Sequence, residues 1–242
     1  MLSVIKKELR TYLYSPMMYV IASAFVFIFA IFMLTIVMNP YGPMKFSYGE
    51  LLYSFAFWLA FLIPVLTMRI FAEERKNGTD VLLMTSPLGV GEIVIGKFLA
   101  SLTVYTLMMV ITFVFPLIIS IKGDLNLIQT VTSYLGLFLI GAVCVAFGLL
   151  TSAFAENQII AAILGFIGII SIWILENIKS IFMTVLYGII YKFAMWISLF
   201  DRFNSFRMGL INLKDIVFFI SIVGMFIALT MIVIEKRRWS QG

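Results

Sequence analysis

Six long stretches without a single Asp, Glu, Lys or Arg constrain the fold more than any other feature of the sequence. They cover residues 17–38, 51–68, 98–121, 130–155, 158–175 and 216–234. A helix of about 20 apolar residues crosses the roughly 30 Å hydrocarbon layer of a bilayer. One charged residue at its centre would cost about 2.5–3.5 kcal/mol. The runs therefore predict an all-α, polytopic membrane protein, a bundle of six transmembrane helices forming one domain over residues 1–242.

The composition supports a membrane protein over a soluble one. Hydrophobic residues make up 63% of the chain and charged residues 12%, whereas soluble domains carry about 25% charged residues. The net charge of +5 does not indicate a nucleic-acid partner, because the basic residues cluster at the ends of the apolar runs, where they set orientation. The lipid bilayer is the first partner that the sequence implies.

The distribution of basic residues predicts that both termini face the cytoplasm. With six spans, ten basic residues fall on one side: Lys6, Lys7, Arg10, Arg69, Arg75, Lys76, Lys97, Lys236, Arg237 and Arg238. The two short loops on the other side carry only Lys45 and Lys122. This is the positive-inside pattern, which predicts a multi-pass protein of a bacterial or archaeal cytoplasmic membrane.

Residues 176–215 interrupt the regular alternation of spans and loops. The apolar stretch 180–200 contains Lys192, and a seventh crossing there would place the two basic termini on opposite faces. We therefore predict an outer hairpin or re-entrant segment with two short helices, and the sequence leaves open whether it enters the membrane.

The first 15 residues predict an amphipathic helix lying in the membrane interface. Leu2, Ile5, Leu9 and Leu13 recur at helical spacing, and Pro16 then turns the chain into the bilayer. The pattern leaves two roles open, namely a topology anchor and a docking surface for a partner.

Residues 69–97 form a predicted inner loop with an unusual amphipathic segment. The second span is expected to continue as a polar helix until Asn77-Gly78 ends it. A second short helix, capped by Thr79, should follow and end at Ser86-Pro87. An apolar helix held below the membrane between two spans is suited to passing a partner's motion into the bundle.

The residues give little support for catalysis or for binding of nucleotide or metal. Gly91, Gly96 and Lys97 match the start of a phosphate-binding loop, but Phe98 stands where a hydroxyl must reach Mg²⁺. Lys97 is instead interpreted as an interfacial anchor at the start of the third span. Histidine is absent and Cys144 is the sole cysteine, so we expect no enzyme activity, no metal site and no cofactor bound by this chain.

Small residues four apart in the fourth and fifth spans predict close helix packing. The pairs are Ala142 with Ala146, Gly148 with Ser152, and Ala161 with Gly165. Packing within the chain is favoured over a subunit interface.

Two blocks of residues resemble one known family. The first comprises Arg69, Ala72, Glu73, Glu74, Arg75, Gly78, Thr79, Leu82, Leu83, Ser86, Pro87, Glu92, Ile93, Gly96 and Lys97. The second comprises Ser198–Asp201, Phe203, Phe206, Gly209–Ile211 and Asp215, with Glu235, Arg237, Arg238 and Trp239 closing the chain. Together they resemble the ABC type-2 permeases, within them the group associated with gliding motility and copper-enzyme maturation.

This resemblance implies a permease, most simply an exporter, whose ATP and Mg are used by separate ABC ATPase subunits. It also implies pairing with a second copy or a paralogous permease, and it allows an auxiliary membrane protein with an extracytoplasmic domain. By analogy the ATPase-coupling residues are Glu73, Glu74, Arg75, Gly78, Thr79, Asp80, Leu82, Leu83, Ser86 and Pro87. The outer hairpin residues are Phe200, Asp201, Arg202, Phe203 and Gly209.

Two departures from the family pattern concern fine contacts. Val81 stands where an acidic residue is common, with Asp80 beside it, and Arg202 replaces a usual histidine. The alternative function is a membrane anchor or mechanical component of a cell-envelope or gliding machine that moves no solute. A membrane-embedded enzyme is the weakest reading, since the sequence lacks the expected catalytic groups.

Overall fold

The computed structural model describes residues 1–37, 48–79, 88–122, 125–185 and 198–240, and these residues contain helices and no strand. In chain order the helices are α1 Leu2–Tyr14, α2 Pro16–Val37, α3 Tyr48–Ala56, α4 Leu59–Thr67, α5 Arg69–Lys76, α6 Val90–Thr112, α7 Val114–Lys122, α8 Leu127–Phe154, α9 Gln158–Val185, α10 Leu199–Arg207 and α11 Leu213–Ser240. The all-α class predicted from the sequence is confirmed for this part of the chain.

Four segments are long and apolar enough to cross a membrane: Pro16–Thr35, Val90–Ile121, Leu127–Phe154 and Leu213–Trp239. The second predicted span is a bent pair, Tyr48–Ala56 with Leu59–Lys76, whose parts meet at 53°. The apolar stretch Gln158–Ile174 is shorter. The described chain thus contains four spans by length and composition, or five with the bent pair, where the sequence predicted six.

Two prolines lie within the segmented membrane stretches. Pro64 lies within α4, where it cannot donate the backbone hydrogen bond to the residue four positions earlier. Pro116 follows the break at Phe113 that separates α6 from α7. The second and third predicted spans therefore each consist of consecutive helical segments rather than one uninterrupted helix.

The prediction for residues 176–215 is wrong in one boundary. A new short helix was expected after residue 175, but α9 continues to Val185, because the charges of Glu176 and Lys179 end an apolar run without ending a helix. α10, Leu199–Arg207, lies within the same segment. Residues 186–197, including Lys192, lie outside the described part of the chain.

α8 forms the centre of the bundle and contacts α3, α4, α5, α6, α9, α10 and α11. Small residues permit these contacts, since a Cβ added at Gly148 would overlap Thr67 Oγ1 and one at Gly165 would lie 3.0 Å from Pro64 Cβ. Ala161 packs with Ala72 and Ala155 in a buried cluster. The predicted intramolecular role of the small residues is confirmed at these positions.

The helices define two ends of the bundle. We call the first the terminal end, because α1 contacts the start of α6 there and Arg237 of α11 donates to the carbonyl of Phe154 at the end of α8. We call the other the hairpin end, where α10 packs on α3 and on the beginning of α8. The chain termini thus share one end of the bundle.

Gly136 of α8 tests the packing at the hairpin end. A Cβ at this position would lie 2.6 Å from the Phe203 ring and 2.8 Å from Phe206 Cβ, and both phenylalanines are completely buried. Gly136→Ala should therefore destabilise the protein by about 1–3 kcal/mol through overpacking. Cys144 is buried, so a thiol-reactive dye added during heating reports unfolding.

Gly224→Ala in α11 is the matched control. An added Cβ there meets nothing within 4 Å, so helix propensity should leave the protein unchanged or up to about 1 kcal/mol more stable. Equal unfolding temperatures for the two variants would contradict the described packing of α10 on α8.

Candidate functional site

A buried lysine lies at the centre of the terminal end. The Lys97 side chain has no solvent exposure, and its ammonium donates to Glu8 Oε1 at 3.0 Å, Glu74 Oε2 at 2.8 Å and the Ile70 carbonyl at 2.7 Å. These acceptors satisfy the three N–H groups of an ammonium. Lys97 therefore joins α1, α5 and α6 through one side chain.

The interpretation of Lys97 as an interfacial anchor is wrong. An anchoring lysine extends its ammonium into water, whereas here the ring of Phe71 covers it, with 4.9 Å between Nζ and the ring centroid. The helix that carries Lys97 also begins at Val90, eight residues before the predicted span. Gly91 and Gly96 lie on this helix too, so they form no phosphate-binding loop.

Lys7 completes the charge balance around Lys97. Its ammonium lies 3.0 Å from Glu74 Oε1 and 3.5 Å from Glu8 Oε1, so two lysines face two glutamates. Burial acts to lower the pKa of Lys7, but the hydrogen bond and charge of Glu74, with a further contribution from Glu8, outweigh it and raise the pKa. We call Lys7, Glu8, Glu74 and Lys97 the ionic cluster.

A close approach of α1 to α6 makes the ionic cluster possible. Val4, Glu8 and Tyr12 form the buried face of α1, and a Cβ added at Gly96 would lie 3.1 Å from a Val4 methyl group. The Tyr12 hydroxyl lies 3.2 Å from the Leu66 carbonyl, to which it donates, and 3.3 Å from Ser101 Oγ. Burial raises the pKa of Tyr12, so this hydroxyl stays protonated.

Arg69 and Glu73 form a second ion pair beside the ionic cluster. The guanidinium donates to both carboxylate oxygens, from Nε at 2.6 Å and from Nη2 at 2.9 Å. Nη1 also donates to the hydroxyl of Ser15 at the junction of α1 and α2. The beginning of α5 is thus tied to the point where the chain turns into α2.

The break between α4 and α5 is held by a residue of the central helix. Ser152 Oγ accepts from the backbone N–H of Phe71 at 3.0 Å and of Ala72 at 3.2 Å, and donates to the Met68 carbonyl at 3.1 Å. The first N–H groups of a helix have no partner within it. Ser152 therefore caps α5 from another helix.

Arg75 connects the end of α5 to the end of α8. Its guanidinium donates to the Ala155 carbonyl at 3.2 Å and to Glu156 Oε1 at 3.3 Å. Arg237 donates to the neighbouring Phe154 carbonyl at 3.1 Å. The last carbonyls of a helix carry partial negative charge and attract cations, which explains why two arginines converge there.

The predicted coupling residues fall into two groups. Gly78, with a φ of +66°, ends α5 as expected, and Thr79 donates from its hydroxyl back to the Glu74 carbonyl at 3.2 Å. The remaining residues, Asp80, Leu82, Leu83, Ser86 and Pro87, lie outside the described residues. The structure thus brings Glu73, Glu74 and Arg75 into ion pairs at the terminal end and leaves the following short helix untested.

The predicted outer hairpin residues pack at the hairpin end. Phe203 stacks on Tyr53 with 5.8 Å between ring centroids, and Phe200 meets the same ring edge-on at 6.0 Å. The backbone N–H of Asp201 donates to Ser198 Oγ, which caps α10. Gly209, with a φ of +87°, follows the end of α10.

Arg202 links α10 to α11. Its Nη1 lies 3.2 Å from Asp215 Oδ1, and its guanidinium carbon lies 3.7 Å from the centroid of the Phe218 ring. Among the described residues its Nε atom and the Asn204 side-chain oxygen are buried without a hydrogen-bond partner. Arg202 therefore joins two helices at the hairpin end.

Sequence reasoning missed Glu8, Lys97, Tyr12 and Ser152 as contributors to the site. Glu8 was not singled out, because its partner Lys97 lies 89 residues away in the sequence. One signal was available, since Val4, Glu8 and Tyr12 follow the four-residue spacing of one helix face. Within the described ranges no three His, Cys, Asp or Glu side chains gather closely enough to hold a metal ion.

Comparison with known proteins identifies the class to which this architecture belongs. The segmented apolar helices, with a charged end and an aromatic end, define a multi-pass helical membrane protein. A family model described as ABC-2 family transporter protein matches residues 14–172, which is more than half of the chain. The chain therefore belongs to the ABC-2 transporter family and is a membrane-embedded transport subunit. No curated protein matches it significantly.

Removing the Lys97 ammonium tests the ionic cluster. Lys97→Met leaves Glu8 buried without its main partner, and the loss of one member of a buried ion pair costs about 3–5 kcal/mol. We expect a large fall in thermal stability, measured by exposure of Cys144 to a thiol-reactive dye. Lys6→Met changes an exposed position of α1 and should leave the unfolding temperature unchanged.

The double variant Glu8→Leu, Lys97→Met distinguishes the charge from the shape of the side chain. It removes both charges of the pair while leaving Glu74 with Lys7, so stability should recover substantially above that of Lys97→Met alone. A double variant as unstable as the sum of its two single changes would show that the pair is not the origin of the effect.

Proposed function

We propose that this chain is the permease subunit of an ATP-driven exporter, energised by separate ABC ATPase subunits that act on the segment 80–87. Two copies, or one copy and a paralogue, would form the transport path, and ATP and Mg would be used only by the ATPases. The outward direction rests on the family resemblance.

The observation that carries this proposal is the ionic cluster together with its position in the chain. The segment 80–87 connects α5 to α6 in the sequence. Glu74 near the end of α5 pairs with Lys97 in the first half of α6. A force applied to this segment would therefore act on two helices that are joined by an ion pair, with 2.8 Å between Lys97 Nζ and Glu74 Oε2. The α1 helix shares the connection through Glu8.

The terminal end offers a second route into the bundle. Arg75 holds the end of α5 to the carbonyls that end α8, and α8 contacts more helices than any other element described. Displacement of α5 by an ATPase would thus reach α8 directly. In our proposal this displacement reorients the paired bundles and opens a path between them.

We further propose six crossings with the terminal end in the cytoplasm. Four of the predicted spans are long helices and a fifth is the bent pair, and α9 would supply the remaining crossing. Support for the orientation comes from the ten basic residues that cluster on one side in the six-span arrangement.

Cysteine labelling tests this topology. In a Cys144→Ser background, Ser3→Cys and Gly242→Cys should react with a membrane-impermeant maleimide only after the membrane is permeabilised, and Lys214→Cys should react in intact cells. Ser3 and Lys214 are both exposed, so each thiol is accessible from its own side. Labelling of Ser3→Cys and Gly242→Cys from opposite faces would refute an even number of crossings.

A charge in the segment 80–87 tests the coupling role. Leu83→Asp should abolish most of the transporter's permease-dependent ATP hydrolysis in vesicles that contain the ATPase subunit, because an apolar docking side chain is replaced by a carboxylate. Glu74 is unsuitable for this test, since it belongs to the ionic cluster.

Leu210→Asp is the matched control, because Leu210 is 58% exposed and follows α10 at the hairpin end. It introduces the same charge far from the proposed docking site and should leave hydrolysis near the wild-type rate. Undiminished hydrolysis in Leu83→Asp, with the protein inserted at normal levels, would contradict the proposed coupling segment.

A further inference from the structure

The α1 helix presents a second face that the ionic cluster does not use. Val4, Glu8 and Tyr12 face the bundle, whereas Leu2 is 83% exposed and Leu13 is 46% exposed. Leu2 and Leu13 lie eleven positions apart, close to three helical turns, so they fall on one side of the helix. An aliphatic strip therefore remains uncovered along α1.

This strip is continuous with the exposed surface of α2. The Tyr19 hydroxyl donates to the Leu13 carbonyl at 2.9 Å, so the exposed side chains of the two helices adjoin at their junction. Val20 and Phe27 of α2, each 65% exposed, continue the apolar surface along a helix long enough to span the membrane. α2 is a candidate membrane span, and the strip on α1 adjoins its exposed apolar side chains.

Two cations border the strip without acidic partners. Lys6 and Arg10 are exposed, and no carboxylate among the described residues lies within ion-pair distance of either of them. Arg10 instead rests near the Tyr14 ring, 5.6 Å from its centroid. Lys7, one position from Lys6, points to Glu74, and Glu8 is paired with Lys97, so neither of these carboxylates is available to Lys6 or Arg10.

We propose that α1 binds anionic phospholipid, with Lys6 and Arg10 contacting lipid phosphates while Leu2 and Leu13 enter the acyl-chain region. An amphipathic helix with cations beside its apolar face lies in the headgroup layer and is attracted by anionic lipid. The phosphate charge matches the two free cations, and the acyl chains match the uncovered strip. The proposal requires membrane insertion only, and neither the ATPase nor the direction of transport enters it.

Titration of lipid into the purified full chain tests the proposal. The protein is held in neutral detergent micelles, phosphatidylglycerol is added, and bound lipids are counted by native mass spectrometry. Each basic residue near an anionic surface contributes about fivefold in affinity, so Lys6→Gln, Arg10→Gln should weaken the tightest binding roughly thirtyfold. Phosphatidylcholine should bind weakly to wild type and variant alike.

The control variant removes the same amount of charge elsewhere. Lys214 lies at the hairpin end and Lys236 near the end of α11, and both are exposed, so Lys214→Gln, Lys236→Gln should retain wild-type affinity for the tightest sites. Equal losses in the two variants would show that net charge, not α1, attracts the lipid, and would overturn the proposal.

Two further arms separate lipid from other occupants of this surface. Leu2→Gln, Leu13→Gln should weaken binding of intact phosphatidylglycerol, whereas the soluble headgroup glycerophosphoglycerol should bind no variant tightly, since it lacks acyl chains. Tight binding of the soluble headgroup would identify a free phosphate site instead. Unchanged lipid binding combined with loss of ATPase association in Lys6→Gln, Arg10→Gln would identify α1 as a protein-docking surface, and either result overturns the lipid proposal.

Discussion

The removal of one lysine ammonium from water determines how the terminal end of this protein is built. A charge with no solvent exposure is stable only when ion pairs and hydrogen bonds replace its hydration. Lys97 obtains them from Glu8 on α1 and from Glu74 and the Ile70 carbonyl on α5. The three helices can therefore separate only if a charge is left unpaired, which makes them a unit.

The two ends of the bundle are held by different kinds of interaction. Ion pairs and capping hydrogen bonds connect the terminal end, whereas aromatic rings fill the hairpin end, where Phe203 and Phe206 are completely buried. The carbonyl of Phe206 also accepts from Thr132 at 3.0 Å. Hydrogen bonds between charged groups are directional, whereas dispersion contacts between aromatic rings are much less so. In the proposed coupling, the terminal end would receive the displacement and the hairpin end would remain packed during it.

The sequence predicts the features that depend on local pattern. Charge-free runs locate four of the membrane helices, and Asn77-Gly78 locates the end of α5. It does not predict the role of Lys97, whose partner Glu8 is 89 residues away, because an isolated lysine at the end of an apolar run has the same local signature as an anchor. The cap that Ser152 provides is not predicted either, because Ser152 and α5 are far apart in the sequence. α9 is longer than its apolar run, because a helix can continue beyond the apolar residues.

The second membrane-crossing segment is bent by 53° between Ala56 and Leu59, and its second part is tied to the central helix. The backbone N–H groups of Phe71 and Ala72 donate to Ser152 of α8, so in the proposed coupling a displacement of α5 would be transmitted to α8. A continuous rod would swing its far end in the opposite direction. A bent segment attached to α8 would instead pass a displacement at the terminal end into the central helix of the proposed transporter.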